Sequence, residues 1–361
     1  MTRQVAGVLV LALMVAVPAH GATLEDAIAL ALVNAPSVQR ADAESDAARA
    51  RLRQAQAARL PSLTASAQAA EGETDYGSFF SFGRHDMSPR AATLTLQQPL
   101  FAGGALQAGA DRARAGGAAA AALARGARLR LEADVADAYG AVLVAEEVYR
   151  LNARQVEVAA ELARQAGLRF TKGEIPRTDQ AQAEARAAEA RAGVAQARSE
   201  LARARARYRA LTGQEADGLS PMGAGPATPQ SLEEAFSAAR RNNPDLSAAR
   251  AGADAAQAAV RQARGGYLPE VALVAQGGTQ RDQFFPGYRA DGYTVGVQAR
   301  WTLFSSGLQT GRLAEVQAQR RAADAGAAEA RLAVDEVVEG LWNGVEASDR
   351  MAEAAAQQAA A

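Results

Sequence analysis

The sequence predicts a mainly α fold with a smaller β part. Long antiparallel helical hairpins carry four extended strands per chain, and the whole is arranged as two internal repeats. Three observations lead there. Apolar and small residues recur in steps of four and three through the stretch from Ala105 to Phe170. Three other segments, around Ser62 to Gln68, Thr93 to Gln97 and Tyr293 to Leu303, alternate apolar and polar side chains. Residues 24–68 also align without a gap to residues 232–276, with 19 identities in 45 positions. Nine of those are alanine pairs and are discounted. The rest include Leu24-Glu25 with Leu232-Glu233, Asn34-x-Pro36 with Asn242-x-Pro244, and Leu60-Pro61 with Leu268-Pro269. Two copies of one unit follow.

Residues 1–21 read as a signal peptide: Arg3 is cationic, Val5 to Val17 is an uncharged apolar run, and Ala19-His20-Gly21 fits a cleavage site. The mature chain then starts at Ala22. The first repeat spans 22–217, a linker rich in glycine and proline occupies 218–230, and the second repeat spans 231–361. The opening helix, Leu24 to Arg59, is capped by Thr23 with Asp26 three residues on, kinked at Asn34-Ala35-Pro36 and ended by Pro61.

Strands are expected over about 61–72, 90–101, 269–279 and 292–304, the first, second and last by their alternation. In the last, Tyr293, Val295, Val297, Ala299, Trp301 and Leu303 point one way and Thr294, Gly296, Gln298, Arg300 and Thr302 the other. Leu94, Leu96 and Leu100 likewise oppose Thr93, Thr95 and Gln97. An apolar-out, polar-in strand of about ten residues is a pattern of outer-membrane barrels; a water-soluble sheet packed on helices shares it. On the membrane reading, Leu94, Leu96, Leu100, Val295, Val297, Trp301 and Leu303 face lipid. Loops dotted with aromatics, Glu71 to Pro89 (Tyr76, Phe79, Phe80, Phe82) and Gln280 to Gly292 (Phe284, Phe285, Tyr288), then lie outside the cell. Four strands cannot close a barrel, since about eight is the practical minimum, and open edges are not tolerated in lipid. Membrane strands therefore require several chains.

The long helix, 105–170, carries two apolar stripes. One runs Leu131, Val135, Ala138, Val142, Ala145, Tyr149, Val156, Ala159, Ala163, Ala166, Phe170, with Asn152 out of character; the other runs Val144, Val148, Leu151, Val158, Leu162. Their offset of two residues is about 200° of helix rotation. A two-stranded coiled coil needs one stripe; a helix in the wall of a cylinder needs two, one per neighbour. The helix beyond the turn, 178–211, is doubled in the same way. Its stripes pass through Ala183, Ala187, Ala190, Val194 and Ala197, and through Ala181, Ala185, Ala188 and Ala192.

Composition excludes several functions. With no cysteine there are no disulfides, thiolate metal sites or acylated amino terminus. His20 and His85 are the only histidines, so no metal centre, cofactor or nucleophile–base set is expected and the chain reads as no enzyme. A formal charge of −1 points to no nucleic-acid partner.

Taken together, the Leu24-Glu25-Asp26-Ala27-Ile28 opening, Asn34-x-Pro36, Leu60-Pro61, the run Gln98 to Gly104 (QPLFAGG) and the Phe170 to Asp179 turn resemble the TolC family of outer-membrane efflux and type I secretion proteins. The resemblance implies a homotrimer in a Gram-negative outer membrane. Each chain would give four strands to a twelve-stranded barrel and its helices to a periplasmic α-barrel. The duct would be passive, docked through a periplasmic adaptor (membrane fusion protein) on an inner-membrane pump. The resemblance also implies adaptor contact at the hairpin tip: Phe170, Gly173, Glu174 and Ile175. By an offset of 203 residues, read from Leu100-Phe101 and Leu303-Phe304, the second tip is expected near position 376, past Ala361. The second repeat, with its long helix 308–361, is thus expected to be truncated. A periplasmic coiled-coil adaptor or envelope spacer remains the competing expectation.

Overall fold

In a computed structural model the structure describes residues 22–77, 83–223, 225 and 228–360. The expected signal peptide and Phe79, Phe80 and Phe82 lie outside the described residues. The elements in order are α1 (Leu24–Asn34), α2 (Pro36–Ala57), β1 (Ser62–Ala69), β2 (Gly72–Asp75), β3 (Arg84–Met87), β4 (Arg90–Ala102), α3 (Ala105–Thr171), α4 (Arg177–Thr212), α5 (Leu232–Asn242), α6 (Pro244–Gly265), β5 (Glu270–Arg281), β6 (Arg289–Arg300) and α7 (Leu308–Ala360). The repeat is visible element for element: α1 and α2 reappear as α5 and α6 at an offset of 208 residues.

The proline at each of these points does more than kink a helix. Ala35 and Asn243, each just before a proline, are extended at ψ 119° and 122°, so one predicted helix becomes two. The proline ring crowds the preceding residue out of the α region. Thr23 forms the predicted capping box with Asp26, and Asn243 caps α6 through Leu246 N–H.

The chain divides into two compact units: Met1–Gln39 with Arg128–Ala227, and Arg40–Ala127 with Thr228–Ala361. In the first, buried Ala27 and Ala31 of α1 and the Ala35 that follows it cluster with Leu131, Val135, Ala138, Tyr139 and Val142 of α3 and Tyr208 of α4. Tyr139 meets Tyr208 edge-on at 6.3 Å between centroids. Its hydroxyl lies 2.6 Å from Ser220 O and 2.8 Å from Ala22 O, and Ser220 N–H donates to Ala22 O. Burial raises the Tyr139 pKa above the ordinary phenol value, so the hydroxyl is a donor at every physiological pH.

In the second unit, β1, β4, β5 and β6 form one antiparallel sheet in that order. Helices attach at one end of it: α2 precedes β1, α3 follows β4, α6 precedes β5 and α7 follows β6. Arg59 donates to Gln107 across the α2 and α3 ends, and Arg261 pairs with Asp111 across α6 and α3. Arg240 of α5 makes a two-pronged pair with Asp335 of α7 at 2.8 and 2.9 Å.

The strand predictions need two corrections. The first loop contains a hairpin, β2 with β3. The last strand ends at Arg300 rather than near 304, so Trp301 and Leu303 are not strand residues. The cause is Pro269: Glu270 pairs with Arg300, and the next residue back has no N–H to extend the ladder. Trp301 instead donates its indole N–H to Tyr267 O at 3.0 Å.

A hairpin turn and an uncovered sheet face

The turn joining α3 to α4 forms because Gly173 adopts φ +73°. Gly173 N–H donates to Phe170 O and Glu174 N–H to Arg169 O, both at 2.9 Å. These are the two bonds that close a helix end around a left-handed residue. Arg169 and Glu174 add an ion pair at 3.3 Å. Pro176 sits just before the first turn of α4, as its N-cap (φ −74°, ψ 160°), and makes no side-chain capping bond. Phe170, Gly173 and Glu174 are exposed and Ile175 is half-buried. The turn thus presents three of its four singled-out residues to solvent.

Behind the turn, one stripe of each helix is used and the other is not. Ala187, Ala190, Ala197 and Tyr208 of α4 are buried, and the first α3 stripe is buried from Leu131 to Val142 and half-buried from Ala145 to Ala166. The second α3 stripe stays open, with Val144 65% and Val158 61% exposed. The second stripe of α4, Ala181, Ala185, Ala188 and Ala192, is open as well. Asn152, the residue that broke the first stripe, lies over Gly193: a Cβ on Gly193 would stand 2.9 Å from Asn152 Oδ1. Asn152 Nδ2 donates to Val148 O. The polar interruption is matched by a missing side chain opposite.

Cross-strand partners point to the same face of a sheet, so the register assigns the faces. Leu63, Leu96, Ala275 and Val295 form one row; Ala65, Leu94, Gly277 and Tyr293 form the next. Val297 pairs with Leu273 and Ala299 with Val271 on the same side. Ser62, Thr64, Ser66, Thr93, Thr95, Gln97, Gln276, Thr294 and Gln298 fall on the other. Leu94, Leu96, Val295 and Val297 are therefore brought together on one face. Leu100 is not: the ladder skips from Pro99 to Phe101, and Phe101 takes its place opposite Val271. Proline cannot donate to the ladder, and the strand absorbs the gap with a bulge. Pro99 inside a strand pattern was the signal for Phe101, and Val271 and Leu273 complete the face.

Among the described residues nothing covers this face. Leu63 is 64%, Leu94 49%, Val295 64% and Val297 65% exposed. A sheet packed on helices would bury them. No helix among the described residues is long and apolar enough to cross a membrane. Strands β1 and β6 each have one unpaired edge. At the end away from the helices, Tyr76 Oη donates to Phe284 O at 2.7 Å, and Tyr288 packs edge-on against Phe284 and Phe285.

A helical hairpin with a spare apolar stripe and an open-edged sheet with one bare apolar face define the class of envelope proteins that combine helical rods with barrel strands. Within that class, this chain belongs to the outer membrane efflux protein family, whose profile matches residues 27–214 and 235–361. Membership places it in a Gram-negative outer membrane with its helices on the periplasmic side. It is 28% identical over 231 residues to the outer membrane efflux protein BepC of Brucella suis, covering 62% of this chain and 49% of that one. It is also 28% identical over 303 residues to the alkaline protease secretion protein AprF of Pseudomonas aeruginosa, covering 79% and 61%. The chain thus spans about half to three-fifths of these curated relatives. Among solved structures it superposes on CusC with a TM-score of 0.78 at 18% identity, covering 91% of this chain and 77% of that one. The Vibrio cholerae outer membrane protein VceC gives 0.75 at 23%, covering 90% and 79%. These likenesses are of fold.

Proposed function

We propose that the chain is the passive outer-membrane exit duct of a tripartite efflux pump or a type I secretion system. The observation that carries the reading is the four-stranded sheet whose apolar face is bare and whose two edges are unpaired. Three such sheets, joined β6 to β1, close a twelve-stranded barrel and satisfy both edges. The spare stripes of α3 and α4 then meet neighbouring helices in a periplasmic wall. A periplasmic adaptor docks at Phe170, Gly173, Glu174 and Ile175, and an inner-membrane pump supplies the energy. The chain performs no catalysis of its own. Relatives named for efflux and for protease secretion support a duct.

The test is fractionation. The full chain is expected in detergent-extracted outer membrane as an oligomer that runs faster unheated than boiled, with cross-links between engineered cysteines on β1 and β6 of different protomers. Recovery as a soluble periplasmic monomer defeats the proposal and favours an adaptor or spacer.

A further inference from the structure

The register places three arginines in one row. Arg90 of β4 pairs with Arg281 of β5, and Arg281 pairs with Arg289 of β6, with Ala69 of β1 completing the row. In β5, Arg281 shares parity with Val271, Leu273, Ala275 and Gly277, so the row lies on the apolar face. It is the last row before the β5–β6 loop, at the end opposite the helices. From Val271 to Thr279 the face runs eight steps of about 3.3 Å, roughly 26 Å along the strand and about 20 Å along a barrel axis at a 40° tilt. That is close to the ~25 Å apolar band of an outer-membrane barrel. The arginines therefore sit where hydrocarbon gives way to headgroups.

Like charges directly opposite one another across strands are unfavourable. This row carries three within about 10 Å, given strand spacings near 4.8 Å. The one carboxylate in the adjoining row of this face is Asp291, 3.6 Å from Arg281. Arg90 and Arg289 are exposed and pair with no carboxylate among the described residues. A guanidinium is suited to phosphate, binding it with two parallel N–H donors. We propose that Arg90, Arg281 and Arg289 form a binding site for the phosphorylated headgroup of an outer-leaflet glycolipid, with Leu94 and Tyr293 below them receiving its acyl chains. The proposal rests on the barrel reading above, which sets which way this face points.

The test uses the full chain, purified from outer membranes, with three probes: bisphosphorylated lipid A, the same lipid dephosphorylated, and inorganic phosphate. The native oligomer is expected to retain the bisphosphorylated lipid. The combined Arg90→Gln, Arg281→Gln, Arg289→Gln variant is expected to insert normally and retain about tenfold less or below, while Arg84→Gln on the β3 hairpin changes nothing. Equal retention by the inserted triple variant overturns the site. So does equal retention of the dephosphorylated lipid, or binding of free phosphate as tight as that of the lipid. Should the triple variant not insert, Arg289→Gln alone on the edge strand is the arbiter, and unchanged retention there also overturns the site. Failure of the native chain to form a heat-modifiable oligomer is a separate result: it refutes the barrel, and the site with it.

Discussion

Gly173 offers the sharpest test of the docking turn, because its role is separable from packing. At φ +73° a Cβ would meet no atom within 4 Å. Any substitution cost is therefore conformational rather than steric. A side chain in the left-handed region costs about 1–2 kcal/mol, more for a β-branched residue, while asparagine tolerates it. One to two kcal/mol is about a 5–30-fold change in a local equilibrium. That equilibrium is readable in two amides, Gly173 N–H on Phe170 O and Glu174 N–H on Arg169 O. In Gly173→Val, exchange at both positions should accelerate at least by that factor, with outer-membrane insertion unchanged. Export in a strain that depends on this chain should be lost. Gly173→Asn should keep both the protected amides and export. Normal export by the valine variant, with its turn shown to be open, refutes the docking role. Loss of export by the asparagine variant with its amides still protected refutes the conformational argument and leaves side-chain bulk at the contact as the cause.

Tyr139→Phe removes the hydroxyl that donates to Ser220 O at 2.6 Å; losing an internal hydrogen bond should cost about 0.5–1.5 kcal/mol, measured as a lower melting temperature, with half-buried Tyr149→Phe as the near-silent control. Gly193→Ala gains about 1 kcal/mol of helix propensity but pushes aside Asn152, whose Oδ1 would be 2.9 Å from the new carbon. The single change should be near neutral, and the gain should appear only with Asn152→Ala; an equal gain in both backgrounds rejects the pairing. Arg164, then Gln165, hold the Glu161 pKa at about 2. A depressed carboxylate stabilises above its unfolded value, about 4.3, and loses that contribution as pH falls toward 2. Glu161→Gln should therefore flatten the acid dependence of hairpin helicity between those values, and an unchanged profile sinks the assignment.

Much of this molecule was legible in side-chain spacing. The doubled stripes of α3 and α4, the 208-residue repeat, the Thr23 cap and the turn glycine all depend on neighbours a few residues apart, and local geometry follows from local chemistry. Three of the differences from the structure trace to proline. Local sequence shows proline as a kink or a terminator, yet Pro36 breaks a helix, Pro99 shifts a ladder by one residue and Pro269 ends β6 from the neighbouring strand. In the sheet, a missing N–H is felt by a residue far away in sequence. The β2–β3 hairpin has a separate cause: Glu73, Thr74 and Asp75 facing Arg84, His85 and Asp86 carry no apolar alternation to announce a strand.

Sequence alone therefore determined the long helices, the four strands of the main sheet, the repeat and the two-stripe character of the rods, since most of these are periods in side-chain size and polarity. Tertiary structure alone decided which stripe is filled, that Phe101 replaces Leu100 on the bare face, and that Arg90, Arg281 and Arg289 stand in one row. The first is a matter of which helix packs alongside, and the last two are questions of register, settled by hydrogen bonds between strands whose partners no single segment names.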